Sequence, residues 1–251
     1  MKDNTQRFSN RVENYVKYRP SYPTEIISFL QKEIGFKSDQ IVADIGSGTG
    51  ILSKIFLDNG NTVYAVEPNK PMRSKAEELL SYYSLFNSVN GTAEETTLKN
   101  ESINLITAAQ AFHWFDAGKT KAEFKRILVP NGYCCLVWNE RLISSAFEKA
   151  YEELLINYGT DYTNVNHKNI DEKKIAAFFE PLQFIQKTFT NKQVFNFDGL
   201  KGRLLSSSYT PDENHPKHRS MLEALKYIFD SFNQNNQVQF DYETKVYIGK
   251  V

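Results

Sequence analysis

Val42-Ala43-Asp44-Ile45-Gly46-Ser47-Gly48-Thr49-Gly50 is the stretch on which the fold turns. A short apolar run, QIVADI (40–45), closes on an acid, and glycines then stand at every second position. The following ILSKIFLDNG (51–60) spaces its apolar side chains as a helix does. Strand, tight turn and helix therefore follow one another without a gap. Glycines let the backbone turn sharply, approach a ligand closely and present N–H groups at the mouth of a helix.

Working outward, NTVYAVEPN (61–69) reads as a second buried strand and PMRSKAEELLSYYS (71–84) as a helix with Pro71 in its first turn. FNSVNG (86–91) is a third strand and SINLITAAQ (102–110) a fourth. FDAGKTKAEFKRIL (115–128) is a helix, and GYCCLVWNE (132–140) a fifth strand after the turn signal Pro130-Asn131-Gly132. Upstream, TEIISFLQKEIG (24–35) has helical spacing and a C-cap glycine, Gly35. Strands alternating with helices predict an α/β fold, a parallel sheet with helices on both faces. Beyond residue 140 the pattern loosens: helices are expected over 145–158, 172–180 and 218–233, and strands over 183–197 and 240–251.

The turn restricts its guest. Aligned on Gly46 and Gly48, a dinucleotide fingerprint G-x-G-x-x-G would place its third glycine at Ile51, but the glycine arrives one residue early. Asp44 would face a bound diphosphate, and like charges about 5 Å apart cost roughly 0.8 kcal/mol even in water. S-adenosylmethionine carries no phosphate; its sulfonium and α-ammonium suit a nearby carboxylate. Glu67, ending the second strand, is placed to accept from ribose hydroxyls. The reading is thus an adenosylmethionine site, with a nicotinamide-dependent oxidoreductase as the rival class and a non-catalytic adenosylmethionine-binding protein as a third.

Thirty Lys+Arg balance thirty Asp+Glu in 251 residues, which argues against a nucleic-acid binder. No apolar run approaches the ~20 residues of a membrane span, and the polar N-terminal stretch does not read as a secretory signal. The adjacent Cys134 and Cys135 sit in an apolar run and read as buried strand residues. A cytoplasmic location is expected, with no membrane, no nucleic acid and no obligatory protein partner. One domain is expected over 1–251: an N-terminal lid segment (1–23), a cofactor-binding core (36–140), and insertions near an acceptor pocket (142–180 and 199–236).

Several motifs carry a resemblance. YRPSYP (18–23), DIGSGTG (44–50), VEPNKPMR (66–73), GTAEET (91–96) and AQAFHWF (109–115) are similar to those of the class I, seven-stranded S-adenosylmethionine-dependent methyltransferases. Within that class they resemble the small-molecule, trans-aconitate methyltransferase-like branch. The resemblance implies a Rossmann-like, mostly parallel seven-stranded sheet with its last strand antiparallel, and helical insertions forming a lid. It also implies that S-adenosylmethionine is converted to S-adenosylhomocysteine. Gly46, Ser47 and Gly48 would pack against the methionine portion, with Asp44 supporting its ammonium. Glu67 would hold the ribose diol, with Pro68 and Met72 flanking the adenine and Thr92, Ala93 and Glu94 along its edge. Relatives often carry an acid where this chain has Thr92, and Glu94 is the candidate substitute. Gln110 would bring its carbonyl or side chain to the methionine portion; Tyr15 and Arg19 would close over it, Arg19 pairing with its carboxylate. Asn104 replaces an aspartate usual in relatives, at a position expected to be structural.

The expected reaction is methyl transfer to a small molecule through an oxygen, carbon or sulfur nucleophile. The N/D-P-P-Y signature of exocyclic-amine methylation is replaced by Ala109-Gln110-Ala111-Phe112, and no metal site is expected. His113, on the loop after the fourth strand, is the candidate general base or else a pocket wall. Trp114 lines the acceptor pocket or packs in the core. Arg203 and Tyr209, with the serines at 206–208, would meet an anionic acceptor or else belong to an insertion surface. His167, His215 and His218 read as surface residues, and the charged runs at 148–153 and 172–174 as solvated helix faces.

Overall fold

The computed structural model describes residues 11–160, 162 and 172–251. Seven strands form one sheet: β1 (Ile41–Ile45), β2 (Thr62–Val66), β3 (Phe86–Val89), β4 (Ile103–Ala109), β5 (Leu128–Arg141), β6 (Phe184–Phe195) and β7 (Val238–Gly249), in the order β3-β2-β1-β4-β5-β7-β6. Pairings from β3 through β5 are parallel, and β7 runs antiparallel between β5 and β6. The chain leaves β1 toward β2 and β3, then returns to place β4 on the other side. That reversal opens a crevice beyond the carboxyl ends of β1 and β4, where ligands of open α/β sheets sit.

The helices follow from local signals. Helix α1 spans Val12–Tyr18, α2 Glu25–Ile34, α3 Ile51–Asp58, α4 Lys70–Leu80 and α5 Ala117–Ile127. Gly35 caps α2 in the left-handed region (φ 65°), Asn69 caps α4 by accepting from Met72 N–H, and Asp116 caps α5. Cys134 and Cys135 are buried strand residues, as expected, and burial pushes the Cys135 thiol up to about 12. Asn104 is structural: its Oδ1 accepts from Ile41 N–H at 2.8 Å, tying the starts of β4 and β1. Two hydrophobic clusters cover the two faces of the sheet, one built around Ile45, Ile106, Phe124 and Phe179, the other around Leu30, Val42, Phe56 and Val137.

The insertions build a third cluster. Helices α6 (Ala146–Tyr158), α8 (Phe197–Leu205) and α9 (His218–Phe232) bury Phe147, Leu155, Leu204 and Leu225 against Phe240 of β7; α7 (Glu172–Phe179) packs instead beneath the sheet. Helices α1 and α8 have no clear apolar signal, and α8 contains Gly199 and Gly202, poor helix formers. Gly202 is there for contact: a Cβ on it would lie 1.9 Å from the Tyr18 ring of α1.

Two expectations are corrected. Pro130-Asn131-Gly132 does not precede β5 but is absorbed into it, with Asn131 at φ 68° and a register jump from Ile103–Leu128 to Leu105–Tyr133. The 148–153 run is not a solvated face. Glu148 is fully buried, accepting from Ser144, Ser145 and Asp241 N–H groups, and Glu152 accepts from Arg141 and Tyr162. Residues 172–174 are exposed as expected; His167 lies outside the described residues. No described helix is long and apolar enough to cross a membrane.

Candidate functional site

The glycine turn is held by its own N–H groups. Gly46 and Ser47 both donate to Val66 O, at 2.9 and 3.2 Å, and Gly50 donates to Ser47 O at 2.9 Å. Gly48 donates to Glu67 Oε2 at 2.8 Å. All three glycines sit in the left-handed region, at φ 67°, 58° and 82°. Space enforces two of them: a Cβ on Gly46 would lie 2.7 Å from Ala111 Cβ, and one on Gly50 2.5 Å from Leu80 Cδ1. Gly50 thus stands where α4 passes closest, which is why the third glycine precedes the dinucleotide position. A diphosphate cradle needs free N–H donors. Here four of them are turned onto oxygens of the chain itself.

Asp44 does not face the cleft, contrary to the expectation from its position. It is 1 % exposed, with Oδ2 accepting from Ser53 Oγ at 2.6 Å and Oδ1 from Thr107 Oγ1 at 3.0 Å. A carboxylate at the end of a strand turns inward when neighbouring elements supply hydroxyl donors. Burial pushes its carboxyl up to about 6 against those hydrogen bonds. Ser47 is likewise absent from the cleft wall. Glu67, by contrast, lines the cleft. Its Oε1 accepts from Asn69 N–H at 2.8 Å while Oε2 holds Gly48, so each oxygen keeps lone pairs for a ligand. Burial raises its carboxyl above the ordinary value, with the Asn69 and Gly48 N–H groups opposing.

The cleft, its mouth included, encloses about 1550 Å³ of empty space. One end gathers Gly46, Gly48, Glu67, Pro68, Met72, Thr92, Ala93 and Glu94. Thr92 Oγ1 accepts from Glu95 N–H at 3.1 Å, and Glu94 Oε1 from Asp116 N–H at 2.8 Å, so both help shape the loop they stand on. Gln110 lines the cleft at φ 55°; its Nε2 donates to Asn139 O at 2.8 Å and its backbone N–H to Val137 O at 3.0 Å. Tyr15 and Arg19 also reach the wall, the guanidinium 5.1 Å from the centre of the Tyr15 ring. Arg19 donates to Ser206 O at 3.1 Å, while its buried Nε has no partner among the described residues. Arg11 clasps this N-terminal segment to the second insertion through Leu205 O, Ser207 O and Thr210 at 2.5–3.0 Å.

The other end of the cleft contains His113, Trp114, Arg203 and Tyr209, joined by Tyr22, Arg141 and Tyr242. His113 lies on a 3-10 turn (Phe112–Trp114), exposed, its ring 4.4 Å from that of Trp114. Arg203 is 5 % and Arg141 2 % exposed, so neither belongs to an outer surface. His215 and His218 stand apart from the cleft. Sequence reasoning missed Arg141 and Tyr242. The strand-end rule points to Arg141, the last residue of β5, and the antiparallel register sets Tyr242 directly beside it. Among the described residues no cluster of His, Cys, Asp or Glu could hold a metal ion.

Comparison with known proteins places this geometry. Residues 43–136 match the family model described as "Methyltransferase domain". An uncharacterised methyltransferase of Mycobacterium tuberculosis is 35% identical over 140 residues, 56% of this chain and 55% of that protein. The matched part thus spans about half the length of the mycobacterial relative. Among solved structures, a protein assigned as a type II methyltransferase from Anaeromyxobacter dehalogenans superposes with a TM-score of 0.70 at 18% identity, covering 93% of this chain and 98% of that one. A SAM-dependent methyltransferase from Geobacter sulfurreducens in complex with S-adenosyl-L-homocysteine gives 0.54 at 15% identity, with 96% of both chains covered. At such identities the structural likeness is one of fold.

Proposed function

From the match of residues 43–136 to the family model described as "Methyltransferase domain", we propose that the chain is an S-adenosylmethionine-dependent methyltransferase acting on a small molecule in the cytoplasm. The observation that carries the cofactor is the spent glycine turn together with the Glu67 carboxylate facing the cleft. An anion at that point accepts from a ribose diol and favours a cationic guest, while the turn offers no row of donors to a diphosphate. Arg19, with one buried N–H unpartnered among the described residues, fits an α-carboxylate. Met72 and Pro68 supply apolar surface for an adenine ring, and the Gln110 carbonyl addresses an ammonium.

The cofactor supplies a methyl group on a sulfonium, an electrophile that needs no further activation. What remains for the chain is to position a nucleophile, exclude water and take a proton. His113, at the carboxyl end of β4 and on the cleft wall, is the group placed to take a proton from a hydroxyl or thiol. Arg203, Ser208 and Tyr209 of segment 199–236 line the far wall and make that segment the lid, whereas no described residue of 142–180 lines the cleft. The test is transfer of a radiolabelled methyl group from S-adenosylmethionine to the small-molecule fraction of a cell extract. Label is expected in that fraction; label only in protein or nucleic acid, or none, rejects the proposal. His113→Ala is expected to lower turnover about 100-fold or more, within the range of general-base contributions, with adenosylhomocysteine affinity nearly unchanged. Unchanged turnover would remove His113 from the chemistry.

A further inference from the structure

Four parts of the chain meet at one amide, that of Asn139. The residue lies two positions before the end of β5, on the cleft wall and only 3 % exposed. Its Oδ1 accepts from Thr244 Oγ1 of β7 and from Asn191 Nδ2 of β6, the latter at 3.3 Å. Its Nδ2 donates to Ser21 O at 3.0 Å, and Asn191 Nδ2 donates to the same carbonyl at 2.7 Å. Its main-chain O accepts from Gln110 Nε2 at 2.8 Å, on the turn that leads to His113. An amide with a carbonyl on one side and a hydroxyl on the other has one orientation that satisfies both, because only the nitrogen can donate. The Asn139 side chain is therefore fixed, and Ser21 is fixed to it.

The tether matters because of what stands beside Ser21. Helix α1, which leads into this segment, has no fully buried residue, so apolar burial does little to fix its exit. Side-chain amides fix it instead: Gln193 Nε2 donates to Tyr18 O at 3.1 Å, while Asn139 and Asn191 hold Ser21 O. Arg19 and Pro20 lie between those two carbonyls and Tyr22 follows, and all three line the cleft. Holding the main chain on both sides of Arg19 lowers the entropy lost when its guanidinium meets a ligand, which is preorganisation. Asn139 is the member of this set that stands on the cleft wall itself and also carries the Gln110 contact. We propose that Asn139 is a positioning residue for the cofactor. Through Ser21 O it presets the Arg19 guanidinium for the α-carboxylate in the reading above, on which this step rests.

The test is a double-mutant cycle on the full chain, read as adenosylhomocysteine affinity by calorimetry. Asn139→Leu removes the donor to Ser21. Asn139→Leu/Thr244→Val is measured beside it, because replacing both partners of a buried hydrogen bond disturbs folding less than stranding one. Each change is then repeated in an Arg19→Met background. Loss of the Asn139 donor is expected to weaken affinity about fivefold or more, the scale of one hydrogen bond, and Arg19→Met alone about tenfold or more. In the Arg19→Met background the Asn139 change should cost about twofold or less, since no guanidinium is left to orient. A residue needed only for stability would weaken binding equally in both backgrounds. The proposal is overturned if Asn139→Leu/Thr244→Val binds as the parent does, if Arg19→Met leaves affinity unchanged, or if the two losses simply add. Failure of the parent chain to bind adenosylhomocysteine would instead sink the cofactor reading.

Discussion

The two ends of the cleft solve opposite electrostatic problems with opposite materials. At the β1–β2 end, a backbone turn and one carboxylate are bound to each other: Glu67 holds Gly48 and Asn69, and Val66 O holds Gly46 and Ser47. At the β5–β7 end, side chains alone do the work, with Arg141, Arg203 and Tyr242 drawn from a strand end, a helix and an antiparallel neighbour. At the first end the turn's N–H groups, the Val66 carbonyl and the Glu67 carboxylate satisfy one another. The second is left with donors to spare. A completed network recognises by shape and by the single charge it exposes, whereas an incomplete one recognises by what it lacks.

Substitutions at the two ends separate these modes. The largest effect is expected at Gly46→Val, where a left-handed φ and a 2.7 Å approach to Ala111 combine. Strain and overpacking of about 1–3 kcal/mol each predict a loss of adenosylhomocysteine affinity on the order of 100-fold by calorimetry. Glu67→Gln comes next: one acceptor oxygen becomes a donor facing backbone N–H groups, and affinity should fall about tenfold or more. Gly202→Ala strikes the other end, since its Cβ would lie 1.9 Å from the Tyr18 ring. Melting should show a loss of about 1–3 kcal/mol, with acceptor turnover hurt more than cofactor affinity. If Gly202→Ala instead damages cofactor binding as severely as Glu67→Gln, the two ends are not separable.

The cofactor end was legible because its residues are neighbours in the chain. The glycines, Glu67 and the 91–96 loop stand within one strand-turn-helix sequence or at its known spacing. The arginine end was half legible: Arg203 stood out as a charge beside serines, but α8 is interrupted by Gly199 and Gly202, and nothing local shows that a neighbouring helix needs the second of them. Arg141 stands one residue beyond the strand expected over 132–140, and its place on the cleft wall depends on β7, which pairs Tyr242 with it. Asp44 was misread for the same reason in reverse. Its burial depends on Ser53, nine residues on, and on Thr107, 63 residues away, a contact that only the sheet creates.

Asp44 also gives the smallest and sharpest contrast with Glu67. Because it touches no cleft wall, Asp44→Asn should change adenosylhomocysteine affinity by less than about threefold, where Glu67→Gln exceeds that. Its folded carboxyl stands near 6 against 3.8 for the ordinary group, so the folded state binds the proton more tightly. The stabilisation from that proton is fully present below 3.8 and is lost as pH rises through 6. Between pH 7 and pH 5 the parent should therefore gain about 1 kcal/mol relative to Asp44→Asn, measured by denaturant unfolding.

The central claim is that a glycine turn whose N–H groups are already bound, beside a Glu67 carboxylate on the cleft wall, admits the adenosylmethionine or adenosylhomocysteine nucleoside and refuses a diphosphate. Parallel melting with S-adenosylhomocysteine and with NADH tests it most directly. At about 100 times its dissociation constant, adenosylhomocysteine should add about 2.7 kcal/mol, a rise of several degrees in Tm, while NADH should leave the transition where it was. A rise with NADH and none with adenosylhomocysteine would contradict the account.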